Sequence, residues 1–549
     1  MPKKSWLPVI LCMLLAACIR LRIDSAYSYL VMGADGPYFP LEVRSMMDHF
    51  RLAFPDMPFL FLIGAIVAKV LLWLHVATPN TCVLMAVRVT DAVLPPLAAI
   101  PVFLISGELK SDTVKAGWLD YLMVFFSLFN YTAVVVFSYQ LQKNDFSITW
   151  IFFYCYFLLR VLKYGLRRDV YYALGSLLLC ALTHFGSFSI LLLFTVLVGL
   201  FMSNRKKMAL FFAGALALLG IIALFDPTRF YRLLVSPLKL FDGPVLLYAL
   251  SGQQSVLNGF TLINVVVVNV LALLALAVLV IHRKEIARPF KVMGFSLVVL
   301  SFILASPLLG WEWANRFYLM SYVPLTLLYL IFFNTVRSAW LKVLPVCIFI
   351  SFMLLSLIQV FSMGGKASIT REAFSEFEQI SRQVPLSERS ALMGRQDLRL
   401  LGNWVFRTKG IADYLLTKED FGKYDAIYVV KQIKGSNLPS ARFRETNVPP
   451  DATGVFCGEY FELYRLKDAR GWNVTKPMRS IRGIIERIDG NDIYVKNSAS
   501  GITSRIEKTP KTLVQGSKLM EGMYITAWGE SEPFSLALSA ETIQEEHGF

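Results

Sequence analysis

The chain has 549 residues, of which 56% are apolar and only 17% charged, and its mean hydropathy is +0.55. Soluble domains hold ~45–50% apolar and ~25% charged residues, so an ordinary soluble enzyme, a disordered chain and a fibrous protein are all excluded. The net charge of +15 lies almost wholly in residues 1–360, because the remainder carries 26 basic and 24 acidic side chains. A nucleic-acid binder would concentrate basic charge on a soluble domain, so nucleic acid is not an expected partner.

A membrane helix needs ~20 mostly apolar residues. Such runs fall at about 6–23, 57–76, 82–106, 117–138, 146–162, 170–184, 188–202, 208–225, 259–281, 290–309, 317–334 and 341–361. The 170–202 stretch also reads as one broken hairpin. The expected fold class is therefore an α-helical polytopic membrane protein with about 11–13 transmembrane helices. Backbone polar groups in lipid must be satisfied within the segment, and the alternation of a β-barrel is absent.

Basic clusters set the expected orientation. Lys3-Lys4, Lys163–Arg168, Arg205–Lys207, His282–Lys291 and Arg337–Lys342 should be cytoplasmic. Loops 24–56, 226–258 and 310–316, the turn near His184 and everything after about 362 should face outward. This implies a multi-pass protein of the cytoplasmic (inner) membrane. One conflict arises between 77 and 163, where three apolar runs separate two flanks expected on the same side. A re-entrant or split segment at Pro95-Pro96 would resolve it, because tandem prolines remove helix hydrogen bonds. The Leu15–Cys18 stretch is similar to a lipoprotein cleavage box, but the many runs that follow favour a first transmembrane helix.

The tail reads as two units. Residues 362–470 have the pattern of a small α/β domain, with a helix at Ala373–Gln383 and strands at Asp425–Val430 and Glu459–Leu466. Residues 476–549 carry short β-rich segments separated by Asp489-Gly490, Ser500-Gly501 and Glu521-Gly522 turns, which predicts a small OB-like barrel. The seven cysteines form no CxxC, and the five histidines are scattered, so no zinc spacing appears.

The first outward loop concentrates acids: Asp24, Asp35, Glu42, Asp48 and Asp56. Gly33, Gly36 and Pro37 enclose Asp35 in a tight turn. Leu41–Phe50 then reads as an amphipathic helix, with Val43, Met46, Met47 and Phe50 on one side, suited to the membrane interface. Arg88 and Asp91, one turn apart, are expected to pair. His184 and Asp145 stand beside apolar ends, where an ionisable group is a functional candidate. No nucleophile–base constellation or phosphate loop occurs in the tail.

Gly33-Ala34-Asp35-Gly36-Pro37-Tyr38, the Leu41–Phe50 helix and Phe54-Pro55-Asp56-Met57-Pro58 together resemble the GT-C superfamily of membrane glycosyltransferases. The architecture of residues 1–361 resembles the catalytic module of that superfamily, with 24–56 as its first extracytoplasmic loop. The resemblance implies a sugar donor on a polyprenyl phosphate and a glycan, lipid or protein acceptor among membrane lipids. It implies Asp35 as general base, with Glu42 as a second carboxylate and Asp56 as an accessory acid. Arg316, Arg229 and Arg232 would receive the donor phosphate, with His184 and Asp145 as accessory groups. Many members have a paired acid where this chain has Asp35-Gly36, so the resemblance fixes no cofactor. A divalent cation, Mg or Mn, would be held by Asp35. The rival class is a non-catalytic envelope-assembly protein or a lipid-linked-glycan transporter, which should place ionisable residues at mid-membrane.

Overall fold

The structure is a computed structural model. It describes residues 6–25, 29–31, 36–110, 117–130, 133–134, 141–202, 259–336, 338–362, 367–384, 386–387, 389–412, 420–437, 448, 452–466, 478–496, 503–515, 518–530 and 537–545, with scattered positions between 209 and 245.

Among the described residues, five helical runs are long and apolar enough to cross a membrane: Pro79–Glu108, Gln142–Tyr164, Ile263–Ile281, Arg316–Thr335 and Ala339–Ser356. Shorter apolar helices accompany them, among them α6 (Trp118–Phe129). Side-chain contacts set their directions. Helix α1 (Leu7–Ser25) rests Trp6 on Phe103, with ring centroids 5.0 Å apart, while Arg20 donates to the Asp91 carbonyl at 3.1 Å. It therefore runs antiparallel to the α4 (Pro79–Val93) and α5 (Ala99–Glu108) run. Near the C-terminus of α7 (Gln142–Tyr164), Arg160 holds Glu108 at 2.9 Å and Asp169 at 3.1 Å. The bundle thus has one charged end at Arg20, Asp91 and Asp145, and another at Glu108, Arg160 and Asp169.

These directions resolve the crossing conflict differently from the sequence expectation. Helix α3 (Phe59–Trp73) has 15 residues, which span ~22 Å at ~1.5 Å per residue, against a hydrocarbon core of ~30 Å. Its Phe61 and Ala68, with Val83, Leu84, Ala86 and Val87 of α4, belong to a core shared with the first loop and the α/β domain. The bundle core contains none of these residues. The chain accordingly stays on the domain side through α3 and enters the bundle along α4. Pro95 and Pro96 form a 3-10 turn (Pro95–Ala98) inside one continuous run rather than a reversal. Thr149 donates to the Pro95 carbonyl at 3.4 Å. The 170–202 stretch is two helices, α8 (Arg167–Thr183) and α9 (Phe185–Phe201), hinged at His184.

Beyond the bundle helices α10 (Gly259–Ile281), α11 (Arg288–Leu304), α12 (Trp311–Met320), α13 (Tyr322–Thr335) and α14 (Ala339–Ser362) comes a mixed five-stranded sheet. Its strands are β1 (Ala391–Gly394), β2 (Lys409–Ala412), β3 (Ile427–Gln432), β4 (Thr453–Cys457) and β5 (Phe461–Arg465), in the order β2-β1-β3-β5-β4. The first three are parallel and the last two antiparallel. Helix α15 (Arg371–Gln383) buries Ala373, Phe374, Phe377 and Ile380 along one face and is N-capped by Thr370. Glu376 accepts three backbone N–H groups, from Glu459, Tyr460 and Phe461, at 2.8–2.9 Å. Helix α16 (Gln396–Phe406) connects β1 to β2.

The tail's last strands, β6 (Met478–Asp489), β7 (Asp492–Lys496), β8 (Thr503–Gln515), β9 (Tyr524–Glu530) and β10 (Ala537–Glu545), close into a barrel in the order β10-β8-β7-β6-β9. Only the β8–β10 pair is parallel. Two of the predicted turns recur, with Gly490 at φ 61° and Gly522 at φ 85°, a region that glycine enters without steric cost, while Ser500-Gly501 lies outside the described residues. At Gly529 a Cβ would lie 1.8 Å from the Ser539 carbonyl oxygen, which is backbone and cannot swing aside. Gly529→Ala is therefore expected to open the barrel, so that limited proteolysis cuts within 478–545 while residues 1–466 stay protected.

The Leu41–Phe50 helix appears as α2 (Tyr38–His49), and its apolar face is covered by protein. Leu41, Val43 and Met46 are buried, with Val43 packed against Gly64 so closely that a Cβ there would sit 2.7 Å away. Arg44 donates to the Trp404 carbonyl in the last turn of α16 at 2.6 Å, and Tyr29 donates to the Ile369 carbonyl at 2.9 Å. The apolar stripe has a protein partner. Only Phe50, 79% exposed at the left-handed C-cap, projects from it.

Candidate active site

Seven elements converge at the domain end of the bundle: the ends of α1 and α2, the 53–57 turn, α4, and the starts of α7, α9 and α13. The 53–57 turn is set by Glu42, which is fully buried. Its two carboxylate oxygens accept the Ala53 N–H at 2.8 Å and the Phe54 N–H at 3.0 Å. Glu42 is thus engaged as a clamp on this turn, rather than presented as a second open carboxylate. Burial pushes its carboxyl up to about 7, partly offset by the two N–H groups, with Asp56 adding to the rise and Lys143 opposing it.

That shift carries a sign. A folded-state proton affinity above the unfolded value of 4.5 means the native state holds more protons between pH 4.5 and about 7. Stability then falls as pH rises through this window and levels off above it. Glu42→Gln is expected to flatten that segment of a melting-temperature profile across pH 5–8, and a profile as steep as wild type would remove Glu42 as its cause.

Just beyond the clamp, Asp56 accepts from the Tyr38 hydroxyl, the Lys143 ammonium and, at 2.7 Å, the Met57 N–H. Burial alone would raise the Asp56 carboxyl, but Lys143 and the other donors hold it below the usual range. Lys143 lies 5.3 Å from the Tyr38 ring centroid and 5.9 Å from that of Phe61. Tyr38 opens α2, three residues after Asp35.

Two residues after Lys143, Asp145 is paired with Arg20. Asp91 and Asp24 also face that guanidinium. Arg88 does not pair with Asp91 as expected; it faces Asp24 and donates to the Leu30 carbonyl at 3.4 Å. Tyr322, at the start of α13, is buried beside Asp145 and Arg20. His184 Nδ1 accepts the Ser187 N–H at 3.1 Å, capping α9. The Ser187 hydroxyl lies 2.9 Å from the same nitrogen and accepts from Ser147 at 2.6 Å. His184 and Asp145 are therefore tied to the same end through α7. Arg316 is exposed on α12, about one and a half turns before Tyr322. Asp35, Arg229 and Arg232 lie outside the described residues.

Sequence reasoning missed Arg20 and undervalued Lys143. An arginine at the end of an apolar run, followed by Arg22 and Asp24, is the signal for the first. For the second, the signal is a lysine in the first turn of a helix, where the macrodipole disfavours a cation.

The described residues do not fit a divalent ion. Such ions collect oxygens from several carboxylates. Here Asp56 is covered by Lys143 and Tyr38, Asp145 by Arg20, and Glu42 by two backbone N–H groups. Among the described residues no cluster of three or more His, Cys, Asp or Glu could hold a metal.

No protein-family model and no curated protein matches the chain. Solved structures do. The oligosaccharyltransferase of Archaeoglobus fulgidus, in its apo form, superposes with a TM-score of 0.50 at 12% identity, covering 77% of this chain and 69% of that one. The same enzyme tethered to an acceptor peptide containing the NVT sequon gives 0.52 at 12% identity, over 78% and 69%. ArnT from Cupriavidus metallidurans, bound to undecaprenyl phosphate, gives 0.50 at 10% identity, over 84% of this chain and 98% of that one. The described architecture therefore shares the fold of these two solved proteins.

Proposed function

We propose that this protein is an integral membrane glycosyltransferase of the cytoplasmic membrane. It would transfer a sugar from a polyprenyl-phosphate donor to a glycan, lipid or protein acceptor on the extracytoplasmic face. The observation that carries the reading is the charged end of the bundle, built around the first loop, in a fold shared with proteins that bind undecaprenyl phosphate and an acceptor peptide. Buried charge here lies at an end, beneath a folded domain, which suits surface chemistry better than transport through the midplane.

In this reading the acceptor oxygen or nitrogen attacks the anomeric carbon. The bond from that carbon to the phosphate oxygen breaks, and its electron pair leaves on the phosphate. The acceptor proton passes to the Asp35 carboxylate, and one displacement inverts the anomeric centre. Glu42 keeps the turn that carries Asp56 in place. His184 orders the start of α9, and Arg316, Arg229 and Arg232 supply cations for the donor. Residues 1–361 form the catalytic module, with loop 24–56 over it. The 362–470 unit is an extracytoplasmic α/β domain, and 476–549 is an OB-type barrel, a reading supported by its strand order and single parallel pair.

The test is donor turnover by purified wild-type protein in liposomes. It would receive a panel of radiolabelled polyprenyl-phosphate sugars, with membrane lipids and cell-wall extract as acceptors. Transfer of label to an acceptor is expected. Release from no donor across the panel would favour the transport or scaffold reading.

A further inference from the structure

Among the described residues Arg20, Arg88, Arg316 and Lys143 differ in how far they are committed at the charged end of the bundle. Arg20 is buried, with its guanidinium committed to Asp145 and the Asp91 carbonyl. Arg88 faces inward to Asp24 and the Leu30 carbonyl. Arg316 is exposed on α12. Lys143 is the intermediate case, with a side chain 20% exposed, at the edge of the first loop.

Its placement has a local cost. Lys143 is in the first turn of α7, where four backbone N–H groups and the positive end of the macrodipole repel a cation. Asp56 offsets that repulsion, and the faces of Tyr38 and Phe61 fix the ammonium's direction. An ammonium has three donors in a tetrahedral array, and Asp56 takes one direction. The helix start that disfavours a lysine favours an anion, and the ammonium that begins from it is steered by Asp56, Tyr38 and Phe61. Both carboxylates flanking this place, Asp56 and Asp145, are already neutralised by cations of the chain.

We propose that Lys143, steered by Asp56 and Tyr38 at the start of α7, receives the phosphate of the polyprenyl-phosphate ligand, so that this phosphate is bound without a divalent ion. The inference rests on the glycosyltransferase reading above and deepens it. It makes Asp56 and Tyr38 positioning residues, which set the ammonium rather than touch the lipid.

The test is binding of undecaprenyl phosphate to purified protein in detergent with EDTA, titrated by native mass spectrometry, with undecaprenol as the uncharged control. Wild type is expected to bind the phosphate and to prefer it to the alcohol. Lys143→Gln is expected to weaken phosphate binding at least tenfold and leave the alcohol unchanged. Because that variant strands Asp56, the double variant Asp56→Asn with Lys143→Gln is measured beside it, and should be equally weak. If the double variant regains wild-type binding, Lys143 only neutralises Asp56 and the proposal is overturned. It is also overturned if wild type binds only once Mn²⁺ or Mg²⁺ replaces EDTA, although the glycosyltransferase reading then stands. Absence of phosphate preference with or without ions would overturn the glycosyltransferase reading itself.

Discussion

Asp35→Asn is expected to lower sugar transfer by about 10²–10⁴-fold while leaving donor binding near wild type. General-base catalysis contributes ~10²–10⁴ to a rate, and an amide keeps the shape of the carboxylate without its basicity. The chain's local chemistry makes the residue suited to this task. Gly36 and Pro37 lead directly into α2, whose buried Leu41, Val43 and Met46 anchor it to α3 and the α/β domain. Leu41, the first of these anchors, follows Asp35 by six residues in sequence, and positional precision is what a proton acceptor needs. The measurement is initial rate in the liposome assay, with donor affinity taken separately. A rate within threefold of wild type would remove Asp35 from the chemistry and turn attention to Asp56.

What covers α2 was harder to foresee than the helix itself. An amphipathic helix after the Gly36-Pro37 turn was legible from Val43, Met46 and Met47 at helical spacing, and it appears as Tyr38–His49. Periodicity identifies an apolar stripe but not what covers it. Lipid and the α16 surface are equally good partners until Arg44 and Trp404 are seen in contact. The same ambiguity misplaced α3. Its apolar composition is that of a span, whereas its length and its share in the Phe61–Trp404 core put it with the domain. In the tail, alternation and Asp-Gly turns were enough to expect β6 to β10, because strand period and positive-φ turns are local properties. Ion pairs such as Arg20–Asp145, 125 residues apart, are not local, and no spacing rule reaches them.

That pair carries the largest expected effect on stability. Arg20 sits on α1 and Asp145 on α7, both buried, and Arg20 also binds the backbone of α4 through the Asp91 carbonyl. One guanidinium thus ties three helices at the end where the candidate site lies. Replacing it by methionine leaves Asp145 without its cation, and leaves Arg88, which faces Asp24, as the cation beside Asp24 and Asp91. Breaking a buried pair from one side costs about 3–5 kcal/mol, whereas replacing both members by neutral groups of similar volume is often close to neutral. Arg20→Met is therefore expected to lower the melting temperature in detergent sharply, and Arg20→Met with Asp145→Asn to recover part of the loss. Recovery should stay incomplete, because Asp91 and Asp24 still lack the guanidinium that all three carboxylates share. Full recovery would mean that Arg20 serves Asp145 alone. A double variant as unstable as the single one would place the dominant cost at Asp91 and Asp24, and would make the acid pair, rather than the α1–α7 bridge, the reason an arginine is buried in the first helix.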